Sequence, residues 1–392
     1  MRILFICCSL EPGKDGVGDY IRRLAVQLVN VGHEVRLLAL NDSHLLNVVE
    51  GLQTMEGKSI KTFRFDLGLS WNARSVRARL WIEAFSPDWI SLQFVCFGFN
   101  SKGFVHDLVK PLSRICEGYR IHWMFHELWV GIDADARLKL RVWGWFQRHF
   151  ILSLYTKIRP QITHTSNSRY KSILGKYNIQ SDILPLFGNI PFPRQFKSDR
   201  DDLSGFCDLP TGKRLKVGLF GSIHPQWSPF TVLDSLQEFC AESQLRLALI
   251  AFGRHGPKGE ELFLELRRSY GDRFDFVKLG LLSESKVGEI LSHLDIGLAT
   301  SPLSLLGKSG TVAAFADFGI AIVVNRVDEN ELDCSSTEVR EGVVLFKPET
   351  RVDWKVILNR RRSVRASVVT VAEHFTLALS GAARGRDLVS VR

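Results

Sequence analysis

The sequence predicts an α/β protein that consists of two doubly wound parallel-sheet domains. Short apolar runs typical of buried strands alternate with segments whose apolar residues recur at helical spacing. The alternation begins again after a polar, charged stretch at residues 192–214. Strands that alternate with helices favour parallel sheets covered by helices, here with a central cleft between two domains. We therefore predict domains at residues 1–195 and 212–365, and a helical tail at 366–392 that packs back on the first domain.

The composition is that of a globular protein, and its charge balance narrows the class of partner. The chain has 392 residues, of which 45% are hydrophobic, and 51 lysines and arginines against 42 acidic residues give a formal charge of +9. Such a surplus suits phosphorylated substrates or an anionic membrane surface, and it does not by itself indicate nucleic acid. We predict no nucleic-acid partner.

The cysteines and the N-terminal segment bear on the cellular compartment of the protein. Seven cysteines are scattered without a CxxC pair or zinc-like spacing, which predicts a reducing environment and no metal site. The apolar opening stops after about ten residues, too short for a membrane span, and predicts a first strand instead of a signal peptide. We expect a cytoplasmic protein, with a peripheral position at the inner face of the membrane left open.

A glycine-rich segment follows the first strand. Ile3–Cys8 predicts a buried strand, a helical stripe follows at 20–31, and Val35–Leu40 predicts the next strand. The turn between them does not have the GxGxxG spacing of dinucleotide-binding proteins. Glycines at this corner would let a ligand approach the backbone, although they would also serve a turn without any ligand. The candidate contacts are Gly16, Val17, Gly18 and Asp19.

Two further strands lead to a candidate acid–base pair. Asp88–Phe94 predicts a strand followed by an aromatic, glycine-rich loop at 96–103, and Arg120–Phe125 predicts a strand that ends at His126 and Glu127. In open parallel sheets the ligand crevice lies beyond the carboxyl ends of the strands. His126 and Glu127 are therefore candidate catalytic residues, and a structural role for the histidine remains the alternative.

Residues 136–160 predict a helix that interleaves basic and aromatic residues. The helix could lie on an anionic membrane, or it could pack on the sheet with its charges in solvent. A short strand at 161–165 then leads to a helix capped by Asn167 or Ser168.

The second half predicts four strands and four helices before its last strand. The predicted strands are Leu215–Phe220, Arg246–Phe252, Phe274–Leu279 and Leu294–Ala299. The predicted helices are Phe230–Glu242, Glu260–Tyr270, Ser283–His293 and one that begins near Ser309 or Gly310 and runs to Phe318. The turns after the first two strands contain candidate contacts, namely Gly221, Ser222 and His224 in one and Arg254 in the other. The segment 352–388 predicts mostly helix.

The stretch 298–325 has the strongest functional signal. A strand leads through a polar loop into a helix that begins near Ser309 or Gly310, and Gly319 ends that helix before the strand Ile320–Val324. The first N–H groups of a helix have no internal partner, so they form an anion site. We predict that it binds nucleotide phosphates, while a capped helix with a solvated lysine is the alternative. The candidate residues are Lys308, Ser309, Gly310 and Thr311.

The letters GKS in this stretch do not make a P-loop. That motif needs a glycine five residues before its second glycine, and Pro302 occupies the position.

Taken together, these motifs resemble the GT-B glycosyltransferases. The closer likeness is to the retaining, nucleotide-sugar-dependent group known as family 4 or group 1, which has two Rossmann-like domains, and it covers nearly the whole chain. The motifs that carry the resemblance are Gly16–Tyr20 with Gly32–Val35, the loop at 97–103, His126–Glu127, Thr165–Ser168, Gly221–Ser222 and Gly319–Val324.

The sequence departs from that group at two places. The pair of glutamates eight residues apart that the group usually carries is replaced by Leu306 and Ala314. The arginine and lysine that often grip the donor diphosphate fall near Ser222 and Trp227. Lys308 and its neighbours, with help from Arg254 or His224, could replace the phosphate grip, but no residue replaces the ribose-binding carboxylate.

The resemblance implies transfer of a hexosyl group from a UDP- or GDP-sugar to a glycan, lipid-linked or small-molecule acceptor. It further implies retention of configuration without a metal or other cofactor, and contact between His126 and the transferred sugar. Lys308 would stabilise the charge on the leaving diphosphate. Two alternatives use the same fold, namely a GT-B epimerase or phosphorylase and a non-catalytic protein that binds a nucleotide or a sugar.

Overall fold

The chain forms two compact units. One consists of Met1–Pro185 together with the C-terminal helix from Val368, and the other of Leu186–Ser367. The predicted boundary at 195–212 lies outside the described residues. The computed structural model describes residues 1–133, 136–191, 214–224, 226–327, 342–349, 352–359 and 367–387.

The first unit is built on an eight-stranded sheet of order β3-β4-β2-β1-β5-β6-β7-β8. The strands are Arg2–Cys7 (β1), Glu34–Ala39 (β2), Val49–Met55 (β3), Lys58–Arg64 (β4), Trp89–Phe94 (β5), Arg120–Phe125 (β6), Ile162–Thr165 (β7) and Asp182–Ile183 (β8). The helices are Gly16–Asn30 (α1), Trp71–Phe85 (α2), Cys96–Phe99 (α3), Val109–Cys116 (α4), Leu138–Ile158 (α5) and Ser168–Gly175 (α6), with a 3-10 turn at His106–Leu108.

Most of this sheet is parallel, as predicted, but one edge is not. β3 and β4 form an antiparallel hairpin, whereas the other neighbouring strands pair in parallel. The hairpin turns at Glu56 and Gly57, which both have positive φ (48° and 79°), as a two-residue type I′ turn requires. The residues of β3 are largely exposed, so no apolar run predicts this edge strand.

The first helix begins earlier than the sequence predicts. Gly16 and Gly18 lie in the first turn of α1 and not in a flexible turn before it. The cause is the N-cap residue Asp15, whose carboxylate accepts a hydrogen bond from the Gly18 N–H at 2.6 Å. The glycine segment is therefore a helix N-terminus placed at the carboxyl end of β1.

The helix α5 packs on the rest of the first unit through only a few of its side chains. Only Gly144, Gln147, Ile151 and Leu154 are buried along its 21 residues, and its first turns are exposed. Gly144 allows a close crossing, because a Cβ atom there would lie 1.8 Å from the Val130 carbonyl oxygen. The contact anchors the second turn of the helix, while the side chains of its first turn stay exposed.

The second unit contains a six-stranded sheet of order β11-β10-β9-β12-β13-β14, in which all neighbouring strands pair in parallel. Its strands are Arg214–Phe220 (β9), Arg246–Phe252 (β10), Phe274–Gly280 (β11), Ile296–Ala299 (β12), Ala321–Val324 (β13) and Val343–Leu345 (β14). Its helices are Phe230–Glu242 (α7), Pro257–Tyr270 (α8), Glu284–His293 (α9), Gly310–Asp317 (α10) and Trp354–Asn359 (α11), with a 3-10 helix at Leu303–Lys308.

The last helix, Ser367–Asp387 (α12), returns to the first unit. The Phe375 ring stacks on Phe5 of β1 with 5.6 Å between ring centroids, and both side chains are fully buried. This helix therefore completes the hydrophobic core on one face of the first sheet.

The strand–helix–strand unit with the strongest sequence signal forms as predicted. Ser309 is the N-cap of α10, where its hydroxyl accepts a hydrogen bond from the Val312 N–H at 3.3 Å. Gly319 ends the segment with φ +67°, and β13 follows as a buried strand.

Candidate functional site

In the first unit, the N-terminus of α1 lies against the end of β1. A Cβ atom on Gly18 would lie 2.6 Å from the Ser9 carbonyl oxygen, so close packing of the helix on the strand requires this glycine. A Cβ atom on Gly16 would meet nothing within 4 Å, and no described acceptor pairs with the Gly16 N–H. Asp19 accepts hydrogen bonds from Gly13 N–H at 3.0 Å and from Arg22 at 3.1 Å. The Asp15 carboxylate also bonds the Val17 backbone, so Asp15, Gly18 and Asp19 hold the turn, and the Gly16 backbone remains the part available to a ligand.

His126 lies beside that helix N-terminus. It follows β6, is 8% exposed, and makes an edge contact with Tyr20 of α1 at 5.2 Å between ring centroids. Its Nε2 atom is 2.8 Å from Oε1 of Gln93, which lies on β5. Burial lowers the pKa of His126 to about 3, so the ring is neutral at physiological pH. The structure thus brings the predicted glycine segment and the predicted histidine together.

Glu127 follows His126 in the chain, and its side chain is half-buried. No described residue donates a hydrogen bond to its carboxylate, although its charge contributes to raising the pKa of the Cys96 thiol, which burial raises to about 12. The Glu127 carboxylate is therefore available to a ligand.

A buried ion pair at the same edge of the sheet is not predicted by any local pattern. Asp42, which follows β2 and is fully buried, accepts from Arg64 Nε at 2.8 Å, from Ser9 Oγ at 2.9 Å and from Leu10 N–H at 3.0 Å. Arg64 also pairs with Glu11. These bonds fix the chain that connects β1 to α1. The position of Asp42 just beyond a strand is the one sequence signal that could have marked it.

In the second unit, Gly221 joins the end of β9 to the start of α10. It has φ +74°, and a Cβ atom there would lie 3.0 Å from Thr311 Oγ1. The Thr311 hydroxyl donates to the Phe220 carbonyl at 3.2 Å, so its proton is engaged in tying α10 to β9. Ser222 is exposed, and its carbonyl accepts from Thr300 at 3.2 Å. The predicted residues on β9 and α10 thus form one cluster.

The first N–H groups of α10 face this cluster without an internal partner. Ala313 N–H bonds the Ser309 carbonyl and Val312 N–H bonds the Ser309 hydroxyl, whereas no described acceptor pairs with the N–H of Gly310 or Thr311. Lys308, the last residue of the preceding 3-10 helix, is half-buried. Two open N–H groups at a positive helix end are an anion site.

A cation that no sequence motif indicates contacts the turn after β9. Arg326 donates to His224 Nδ1 at 2.6 Å and to Gln226 Oε1 at 2.8 Å. Because it bonds residues of the turn that lacks the expected arginine and lysine, Arg326 supplies positive charge there from a distant point of the chain. It follows β13 within two residues, and this position beyond a strand end was the available signal.

The loop after β10 contains a second unpredicted residue, His255, next to the predicted Arg254. His255 is 2% exposed and its Nδ1 lies 2.8 Å from the Gly221 carbonyl oxygen, while its buried Nε2 has no partner among the described residues. Arg254 is exposed and forms no hydrogen bond or ion pair with another described residue. His255 braces Gly221, and Arg254 is left available to solvent or ligand.

Two further observations concern metal sites and membrane-spanning helices. Within the described ranges, no group of three or more His, Cys, Asp or Glu side chains is arranged to hold a metal ion. Among the helices that are described, none combines the length and the apolar character that crossing a bilayer requires.

Comparisons with known proteins find no match in sequence, since neither a protein-family profile nor a curated protein matches the chain. Solved structures do match it. HepE from Anabaena in complex with UDP and glucose is 14% identical with a TM-score of 0.57, over 97% of this chain and 99% of that one. The catalytic domain of starch synthase IV from Arabidopsis thaliana, bound to ADP and acarbose, is 14% identical with a TM-score of 0.55, over 100% and 99%.

Epimerases share the same likeness. UDP-GlcNAc 2-epimerase from Neisseria meningitidis bound to UDP-GlcNAc is 10% identical with a TM-score of 0.54, over 97% of this chain and 100% of that one. At such identities the likeness shows the fold alone. The chain has the GT-B fold with two parallel-sheet domains, and the fold class predicted from the sequence is confirmed.

Proposed function

We propose that this chain is a glycosyltransferase that transfers a hexosyl group from a nucleoside diphosphate sugar to an acceptor. The observation that carries the proposal is the anion site at α10. There, the unpaired N–H groups of Gly310 and Thr311 adjoin Gly221, with the half-buried Lys308 next to them. This arrangement suits a diphosphate, and GT-B neighbours bound to UDP or ADP support the choice of ligand.

The proposed chemistry requires positive charge where the leaving group forms. As the glycosidic bond breaks, negative charge grows on the diphosphate, and Lys308 with the α10 N-terminus would stabilise it. Arg326 and Arg254 would add charge without a metal. His126 would contact the transferred sugar. We also propose retention of configuration, which rests on the resemblance alone.

A ligand screen followed by product analysis tests this proposal. We expect UDP, GDP or ADP to raise the melting temperature, because a ligand that binds only the folded state stabilises it by mass action. We then expect slow consumption of the matching nucleotide sugar in the presence of EDTA, with the sugar released first as the anomer present in the donor. The absence of both a thermal shift and consumption across the panel would contradict the proposal.

The likeness to epimerases favours one alternative reaction on the same ligand class. Incubation with UDP-GlcNAc followed by proton NMR separates the two, since an epimerase produces the C2 epimer with the nucleotide still attached. Binding without consumption of any nucleotide sugar would identify a non-catalytic member.

We further propose that the acceptor is presented at an anionic membrane surface, to which α5 binds. The exposed side chains Leu138, Val142, Trp145 and Phe146 recur at i, i+4, i+7 and i+8 and form an apolar stripe along the helix. The sequence of α5 contains four basic residues and no acidic residue. A cavity of about 640 Å³ opens beside this stripe and is bordered by Arg141 and Arg148.

The positive charge of α5 indicates which partner this surface binds. An apolar stripe flanked by arginines matches anionic headgroups over acyl chains. A second copy of the chain would bring the same basic residues together, and their repulsion disfavours a homodimer through this face. Anionic lipid is therefore the occupant that the chemistry favours.

Co-sedimentation with vesicles tests the membrane proposal. The intact protein is expected to bind vesicles that contain anionic lipid and not neutral vesicles, and Val142→Gln/Trp145→Gln is expected to weaken binding about tenfold or more, since each buried CH₂ contributes about 0.8 kcal/mol. Leu377→Gln, which changes an exposed leucine of α12, is the matched control and should bind like the unchanged protein. Equal binding of all three proteins to the anionic vesicles would contradict the proposal, and so would binding by none of them.

A further inference from the structure

A continuous chain of buried hydrogen bonds runs across three strands of the first sheet and ends at His126. His126 Nε2 is 2.8 Å from Gln93 Oε1, and Gln93 Nε2 is 2.7 Å from Ser91 Oγ. Ser91 Oγ is 2.7 Å from His122 Nδ1, and His122 Nε2 is 2.9 Å from His164 Nδ1. Side chains two residues apart on a strand share a face, which places Ser91 with Gln93 and His122 with His126 on one side of the sheet.

All five side chains are shielded from water. Ser91 and His122 are fully buried, Gln93 is 1% exposed, and His164 and His126 are 6% and 8% exposed. Burial holds the pKa of His122 well below its usual range and lowers the pKa of His164 to about 4 and of His126 to about 3. Each ring is therefore neutral, with one nitrogen that donates and one that accepts.

Because the rings are neutral, all hydrogen bonds of this series must run in the same direction. Once the Gln93 amide is oriented, every other proton is fixed, because each link needs one donor and one acceptor and His122 is the one described acceptor for the buried Ser91 hydroxyl. With Gln93 Nε2 donating to Ser91, the Ser91 hydroxyl donates to His122 Nδ1, and His122 Nε2–H donates to His164 Nδ1. At the other end, His126 then donates from Nε2 to Gln93 and keeps an unprotonated Nδ1. The reverse orientation of the amide would reverse every link and place a proton on His126 Nδ1.

The position of the Gln93 amide favours the first orientation. His164 lies in register with Asp182 on β8, whose negative charge opposes the effect of burial on the His164 pKa. Asp182 also pairs with Lys171 at 3.2 Å, so its charge alone does not choose the tautomer, whereas the Gln93 amide lies with Nε2 at Ser91 and Oε1 at His126, which is the first orientation. In this orientation Nδ1 of His126 is an acceptor, and no described residue donates to it.

We propose that Gln93, Ser91, His122 and His164 are positioning residues that fix the tautomer of His126, so that Nδ1 accepts a hydrogen bond from a hydroxyl of the bound sugar. The part that concerns the sugar rests on the proposed function, whereas the coupled tautomers do not. None of the four touches the ligand. Their role is to hold one proton arrangement, which would otherwise have to be selected each time a sugar binds.

Two-bond ¹H–¹⁵N NMR of the full chain labelled with ¹⁵N-histidine tests the coupling directly. All three rings are expected to carry their proton on Nε2. Gln93→Glu removes the amide that donates to Ser91, so the Ser91 hydroxyl must turn to the introduced carboxylate and accept from His122 Nδ1. His122 and His164 are then expected to change to the Nδ1–H tautomer, although His164 lies three links from the substitution. A purely structural role of Gln93 would leave both tautomers unchanged, and that result, or a native protein with His122 protonated on Nδ1, would overturn the proposal.

A second variant keeps the test valid if Gln93→Glu does not fold. Ser91→Ala cuts the chain in its middle, and Ser113→Ala, which removes a hydroxyl that bonds only within α4, is the matched control. With the nucleotide sugar found active in the screen, Ser91→Ala is expected to lower kcat about tenfold with KM changed less, as loss of a group that orients a histidine commonly does. An unchanged kcat would overturn the role in positioning. Coupled tautomers in a protein that turns over no nucleotide sugar would instead refute the proposed function and leave the coupling intact.

Discussion

Replacing Lys308 with alanine is expected to lower turnover of the nucleotide sugar about 100-fold, because loss of one group that stabilises developing negative charge commonly costs a factor of about 10² to 10³. The lysine lies next to the α10 N-terminus, where two N–H groups lack an internal partner. Charge on the leaving diphosphate grows during the reaction, so the loss should fall mainly on kcat and less on affinity for the donor. Steady-state release of the nucleoside diphosphate measures turnover, and calorimetry with the same diphosphate measures affinity.

Two further variants separate charge from structure. Lys308→Arg keeps the positive charge and should retain more turnover than Lys308→Ala, although the different shape of the guanidinium prevents full activity. Lys355→Ala removes an exposed lysine from α11 and should behave like the native enzyme. If Lys308→Ala and Lys355→Ala have equal turnover and equal affinity, α10 is not the phosphate site.

The sequence predicts best the elements in which the buried residues follow a regular pattern. β6, α7 and β10 lie at the predicted residues, and Ser309 caps α10 as predicted. Each has a local signal, either an apolar run or a capping residue before a helical stripe. The position of His126 at a strand end is local in the same sense, because it depends on β6 alone.

No element is predicted from the sequence between residues 41 and 87, and the structure explains why. The helix α2 buries Arg74 and Ser75 along with apolar residues, so it lacks a clean apolar stripe. Arg74 stacks on Trp71 at 4.5 Å and donates to the Leu40 carbonyl and to Asn41. Tertiary hydrogen bonds therefore stabilise a buried cation that a local pattern assigns to solvent.

The missed site residues share one physical cause. Arg326 bonds His224 from 102 positions away, and His122 bonds Ser91 and His164 across strand pairs. No spacing within one segment encodes such contacts. The sequence did contain a weaker signal, since β5 and β6 each place polar residues at alternate positions within an otherwise apolar strand, which indicates one polar face buried in the sheet.

The substitution Asp42→Asn should have the largest effect on stability, since removing one partner of a buried ion pair typically costs about 3–5 kcal/mol. Asp42 is fully buried and accepts from Arg64, Ser9 and the Leu10 N–H. Glu11 would still pair with Arg64, so we expect a loss of about 3 kcal/mol, at the lower end of that range. Urea unfolding followed by tryptophan fluorescence reports mainly on the first unit, which contains all of the nine tryptophans except Trp227 and Trp354.

The pH dependence of the same variant tests whether charge is the cause. Burial alone would raise the pKa of Asp42, but the hydrogen bonds from Arg64, Leu10 and Ser9 outweigh burial and lower it below its ordinary value. A carboxyl with a lowered pKa in the folded state stabilises the protein above its unfolded pKa of about 3.9, and that contribution disappears as the pH falls through the folded value. The native protein should therefore exceed Asp42→Asn in free energy of unfolding at pH 7, and the difference should narrow below about pH 4. A difference that stays constant down to the lowest pH at which the native protein folds would instead assign the loss to packing, and the link between β1 and α1 would not depend on the ion pair.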